Sequence, residues 1–238
     1  MKLIEKYATQ AAEFIAVCSK LAQSFYVTSS GGNLAWKLED NLLLITPTQV
    51  YKGDIGFADL VFIDLQGNIV EGQRRPTGET PMYLKFFNTR KDIVSVIHCH
   101  APSVGALAIS KGKNWLMRPI YPETTIEVGP VPLVPYAEPL TQQLADNFEP
   151  FLPKYDSFIM ENHGLVTMSR SGIRQTLMLV DLLEMSARSV LLALPAGEIK
   201  ELSHQAVKDL GNTMRMRGLP LFGASGVNQS LEELYFDQ

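Results

Sequence analysis

The chain is short of the residues from which covalent frames and charged surfaces are made. Only two cysteines, Cys18 and Cys99, occur in 238 residues. They lie far apart and outside any CxxC spacing, which argues against a disulfide frame and for reduced thiols in an intracellular protein. No block of like charges appears, and the formal net charge is only −4. A nucleic-acid surface and an anionic-membrane surface are both disfavoured on that ground. No stretch reaches the ~20 uninterrupted apolar residues of a membrane span, and Met1-Lys2-Leu3-Ile4-Glu5-Lys6 lacks the apolar centre of a signal peptide. Repeats, low-complexity segments and a clear interdomain linker are also missing. These absences leave a cytoplasmic protein that handles a small molecule or binds another protein.

What is present is a large apolar complement, 46% of residues, enough for the core of a single α/β or α+β domain. Residues 4 to 26 carry apolar side chains on one face of a 3.6-residue period, predicting an amphipathic helix. Thr28-Ser29-Ser30-Gly31-Gly32-Asn33 follows. It reads either as a plain connecting turn or as one whose amides and side chains face a ligand. Short strands are expected at 33 to 37, 42 to 46, 60 to 64 and about 69 to 70, joined by hairpin signals, so the first half reads as largely antiparallel. Thr80 is expected to cap a helix with Pro81 in its first position. Further helices are expected at about 103 to 110, 139 to 149, 172 to 194 and 198 to 216. An edge strand is expected at 131 to 136, where Pro132 and Pro135 forbid a central one. Residues 218 to 238 read as an irregular tail.

Four histidines occur, and two of them, His98 and His100, end the apolar run Val94-Ser95-Val96-Ile97. Side chains two apart on a strand share a face, so both imidazoles can reach one ion, while Cys99 points the other way into the core. His163, in Glu161-Asn162-His163-Gly164, stands between two further apolar runs. Three imidazoles at strand ends are the usual protein share of an open zinc site. His204 lies in a polar stretch and reads as an ordinary surface histidine.

Five blocks in order, Gly31-Gly32-Asn33-Leu34, Ile45-Thr46-Pro47-Thr48, Pro76-Thr77-Gly78-Glu79, His98-Cys99-His100 and Glu161-Asn162-His163-Gly164, make the chain resemble the class II aldolase/adducin family. The resemblance extends to about residue 217, so residues 1–217 are taken as one class II aldolase-like domain and 218–238 as a C-terminal tail. It implies an α/β/α sandwich around a mainly antiparallel central sheet, with one Zn2+ per subunit held by His98, His100 and His163. Glu79 matches the carboxylate that ligates the empty metal and acts as acid/base once substrate displaces it. Phosphate would lie among Gly32, Asn33, Thr48, Gln49, Thr77 and Gly78. Two of these depart from the fuculose-phosphate type: Gly78 stands in place of a serine, and Gln49 in place of a glycine. Tyr121 sits where that type has a tyrosine reaching the neighbouring subunit's site, with Glu123 competing for the role. The type's C-terminal tyrosine is matched by Arg217 or by nothing, with Tyr235 as a substitute.

The activity so implied is that of a zinc-dependent aldolase and carbon–carbon lyase. It would cleave a ketose 1-phosphate to dihydroxyacetone phosphate and a short aldehyde through a metal-stabilised enediolate, as a homotetramer. Within the family, a pentulose-phosphate 4-epimerase, a 3-oxo-tetronate 4-phosphate decarboxylase and a dehydratase stay open. Outside catalysis, so does an adducin-like interaction module.

Overall fold

The apolar periodicities resolve into elements in a computed structural model that describes residues 2–237. Met1 and Gln238, the outer ends of the expected domain and tail, lie outside the described residues. The first amphipathic stretch forms α1 (Leu3–Lys6) and α2 (Ala8–Gln23), broken where Tyr7 leaves helical geometry at ψ 30°. Then come β1 (Asn33–Glu39), β2 (Leu42–Ile45), β3 (Val61–Ile63) and β4 (Ile69–Glu71). They are followed by α3 (Thr80–Thr89), β5 (Ser95–Cys99), α4 (Pro102–Ala108), α5 (Pro122–Glu127) and β6 (Leu133–Val134). The chain continues through α6 (Gln142–Asp146), β7 (Ser157–Met160), β8 (Gly164–Ser169), α7 (Ile173–Ala193), α8 (His204–Met216) and α9 (Leu231–Phe236).

Among the described residues, eight strands make one sheet in the order β4-β3-β2-β1-β5-β8-β7-β6. Every pairing is antiparallel except that of β6 with β7. β6, flanked by Pro132 and Pro135, lies at an edge, where the missing donors of its neighbours cost no ladder bond. Strand alternation sends Leu34, Trp36, Ile97 and Cys99 into a core with α2, α4 and α7. Ala35, Val96, Val166 and Met168 enter a second core with α3, α6, α8 and α9. This is the expected α/β/α sandwich, and Cys99 is fully buried on the face away from His98.

Three local expectations are corrected. Thr80 does not cap α3: Glu79 occupies the cap position and Thr80 the first turn, its hydroxyl donating to Thr77 O at 2.6 Å. The last predicted helix starts at His204 instead of 198, where Ser203 Oγ accepts from Ala206 N. Part of the tail is regular: Ser230 caps α9, whose Leu231, Leu234 and Tyr235 are buried in the second core.

Candidate metal centre

The centre of the sheet brings the candidate residues together because β5 lies between β1 and β8. Asn33 stands directly opposite His98 on one side, and Val166 on the other. His98 and His100 leave the end of β5 on one face, and His163 comes from the β7–β8 turn. One ring nitrogen from each of the three lies within 4.8 Å of the others. His98 Nε2 and His100 Nε2 are 3.2 Å apart, close to the roughly 3.4 Å that two nitrogens on a tetrahedral zinc would show. The His98 Nδ1–H donates to Leu165 O at 2.9 Å, which fixes the tautomer and leaves Nε2 as a lone-pair donor. His163 Nδ1 is buried and has no hydrogen-bond partner among the described residues.

Burial is the main cause that holds the imidazoles neutral. It pushes His98 down to about 3, with His100 adding to the shift, and His163 down to about 4, with His98 adding. His100 is lowered as well, first by burial. Neutral imidazoles with converging lone pairs suit a divalent cation, so the donor set fits such an ion. Glu79, only 4% exposed, completes the cluster. Its Oε2 is 3.5 Å from His98 Nε2, and its Oε1 is 3.5 Å from His163 Nε2. Asn33 Nδ2 donates to Glu79 Oε2 at 2.7 Å, and the buried Tyr83 hydroxyl donates to Asn33 Oδ1 at 2.7 Å. That chain of bonds aims the carboxylate.

Three loops are stitched together beside it. Thr48 N donates to Arg75 O at 3.0 Å and Thr77 N to Thr46 O at 2.9 Å, around a bridge between Pro47 and Pro76. Leu34 N donates to Thr46 Oγ1, which ties in the glycine turn. Gly32 has φ +67°, and a Cβ there would strike Val27 Cγ1 at 2.4 Å; one on Gly31 would press on the His100 ring at 2.9 Å. Gln49, where the resemblance expects glycine, keeps a glycine-like φ of 58°. A Cβ on Gly78 would lie 3.0 Å from Leu140 Cδ2, so a leucine occupies the surroundings of the missing serine side chain.

Other candidates stand apart. Tyr121 precedes α5, half-buried, with its carbonyl accepting from Thr125 N and no side-chain hydrogen bond to the histidines or Glu79. Glu123 is exposed in the first turn of α5, and Arg217 is exposed at the end of α8. Tyr235 is 3% exposed inside the second core, so it cannot stand in for a mobile site tyrosine. His204 stacks on Phe236, far from the cluster in role and partners. Sequence reasoning passed over Lys52, which is 1% exposed and donates to Ser30 O at 3.1 Å and Val50 O at 2.8 Å. Nothing in Tyr51-Lys52-Gly53 distinguishes it from a solvated lysine.

Residues 12–191 match the model of the class II aldolase and adducin N-terminal domain. An L-fuculose phosphate aldolase of Methanococcus maripaludis is 34% identical over 158 residues, 66% of this chain and 83% of that protein. A 3-oxo-tetronate 4-phosphate decarboxylase of Escherichia coli is 29% identical over 199 residues, 80% of this chain and 93% of that one. Among solved structures, YgbL of Klebsiella pneumoniae, a candidate aldolase/epimerase/decarboxylase, superposes with a TM-score of 0.79 at 29% identity. The match covers 85% of this chain and 98% of that one.

Proposed function

Because the chain belongs to the class II aldolase and adducin family, we propose that it is a zinc-dependent aldolase that reversibly cleaves a ketose 1-phosphate to dihydroxyacetone phosphate and a short aldehyde. The observation that carries this reading is the convergence of three neutral imidazoles on the buried Glu79 carboxylate beside three joined loops. His98, His100 and His163 would hold a divalent ion, which would supply Lewis-acid polarisation of the substrate carbonyl and so ease carbon–carbon cleavage. Glu79 carries the proton to and from the reacting carbon, and Asn33 and Tyr83 hold the carboxylate in line for it. Gly32, Asn33, Thr48, Gln49, Thr77 and Gly78 receive the phosphate through amides and hydroxyls of the joined loops.

In this reading Tyr121 serves the neighbouring subunit of a homotetramer, consistent with its lack of a side-chain hydrogen bond to its own chain's cluster. The cytoplasm is the setting, where the free thiols of Cys18 and Cys99 stay reduced.

Decarboxylation of a 3-oxo-tetronate 4-phosphate is the second reading, favoured by the decarboxylase relative's match over 80% of this chain and 93% of its own length. The two reactions share their chemistry. Loss of carbon dioxide from C2 of that acid and retro-aldol cleavage of the ketose leave the same carbanion, that of dihydroxyacetone phosphate. Glu79 protonates it in either case.

The test is triose-phosphate release by the metal-loaded protein from a panel of ketose 1-phosphates and from the 3-oxo acid, with the co-product identified. An aldehyde supports the aldolase, and carbon dioxide the decarboxylase. Glu79→Gln is expected to keep its metal while turnover falls about 10²- to 10⁴-fold. Full turnover in that variant would remove Glu79 from the chemistry.

A further inference from the structure

Lys52 is among the largest side chains of the protein to be fully buried, and among the described residues it forms no ion pair. Its ammonium donates to two main-chain carbonyls, Ser30 O and Val50 O. An ammonium has three donors, and removing it from water without a counter-charge costs several kcal/mol. A fold that only needed to join two loops would meet that need more cheaply with a neutral donor. The carbonyls it joins are informative. Ser30 precedes Gly31-Gly32-Asn33, and Val50 follows Thr48-Gln49, so the ammonium bridges the two loops assigned above to the phosphate.

We propose that Lys52 is the buried counter-charge of the anion site: its ammonium, held between Ser30 O and Val50 O, selects a phosphate-bearing substrate over its unphosphorylated counterpart. This rests on the phosphate assignment made above and adds to it a residue outside the five sequence blocks. In a low-dielectric interior one positive charge acts on a dianion over several ångströms, so direct contact is not required. Lys52 is therefore a positioning and selectivity residue, distinct from those that handle the reacting carbon. It also answers the loss of a hydroxyl at Gly78: a charge replaces a hydrogen bond as the source of affinity for the head group.

The experiment measures binding of glycerol 3-phosphate, with glycerol as the uncharged control, to the metal-loaded full chain by calorimetry. Wild type, Lys52→Arg, Lys52→Gln and Lys52→Met are compared, with bound metal and melting temperature recorded for each. Gln keeps a donor for the carbonyls and removes the charge. The expected result is preferential binding of the phosphate ester by wild type and near-wild-type binding by Lys52→Arg. Lys52→Gln should bind at least about tenfold more weakly with unchanged metal content. If Lys52→Met does not fold, Lys52→Gln decides.

Wild-type affinity in Lys52→Gln overturns the proposal. So does a Lys52→Gln protein that loses its metal together with the phosphate ester, which would make Lys52 a loop staple only. A wild type that does not distinguish the ester from glycerol overturns it as well. Because the readout is binding, the reaction is judged separately. Lys52-dependent ester binding without triose-phosphate release rejects the aldolase and keeps Lys52. Turnover of ketose phosphates with normal ester binding in Lys52→Gln does the reverse.

Discussion

A protonated imidazole has no lone pair to offer a cation, so the way His98, His100 and His163 titrate decides both metal affinity and the stability of the metal-free protein. Free histidine titrates near 6.5. In the fold, burial before any other cause pushes His98 to about 3 and His163 to about 4, and lowers His100. The unfolded chain therefore binds more protons than the folded one once the pH drops below about 6.5. The histidine contribution to stability is complete above that value and is lost progressively as the pH falls from there, the loss ending at about 4 for His163 and about 3 for His98. The urea midpoint of metal-free protein is expected to decline from pH 7 to pH 5, and His98→Asn to flatten the decline; a midpoint constant over that range would contradict it. The pair His98 and His100 was legible because a strand's two-residue period converts spacing directly into a shared face. Lys52 was not legible, because burial of a lysine in a short loop depends on what packs over it, here the turn at Ser30.

Helices and strands with long apolar periods emerged close to where the pattern put them, as with α7 over Ile173–Ala193. The short α9 did not, because its position is set by partners elsewhere in the chain. α4, expected at about 103 to 110 and found at Pro102–Ala108, shows how such partners hold a short helix. It begins two residues after His100, and its first amides are held by Glu184 of α7, whose Oε1 and Oε2 accept from Ser103 N at 2.9 Å each and from Val104 N at 3.1 Å. Seven residues make a marginal helix alone, and a carboxylate on its N-terminal amides favours it electrostatically. Hydrogen bonds to a charged group contribute about 1.5–3 kcal/mol each. Glu184→Ala is expected to destabilise the protein by about 3 kcal/mol, with Glu184→Gln recovering part of the loss. Thermal and urea unfolding measure it; an unchanged midpoint in Glu184→Ala would show that α4 is held by packing of Val104 and Leu107 alone.

At the scale of the whole molecule, the question is whether the segment after Arg217 is an appendage or part of the domain. Gly223 N donates to Asp156 Oδ1 at 3.2 Å, and Arg170 donates to Gly223 O at 2.6 Å. Asp156 is in turn paired at 2.8 Å with Arg170 and with Arg90, a guanidinium only 1% exposed. Arg90 also donates to Asp92 and to the carbonyls of Leu152 and Tyr155. The segment thus closes a buried charge network reached from the loop after α3, the start of β7 and the end of β8. Further on, Leu231, Leu234 and Tyr235 complete the second core. Burying a large apolar side chain stabilises by about 1.5–3 kcal/mol, so three such side chains contribute about 5–9 kcal/mol as an upper estimate. A whole domain of ordinary stability has only about 5–15 kcal/mol. A chain ending at Arg217 is therefore expected to unfold at much lower urea concentration than the full chain, or to accumulate as aggregate. An unchanged urea midpoint in the shortened chain would make residues 218–237 a dispensable tail and place the boundary of the domain at 217.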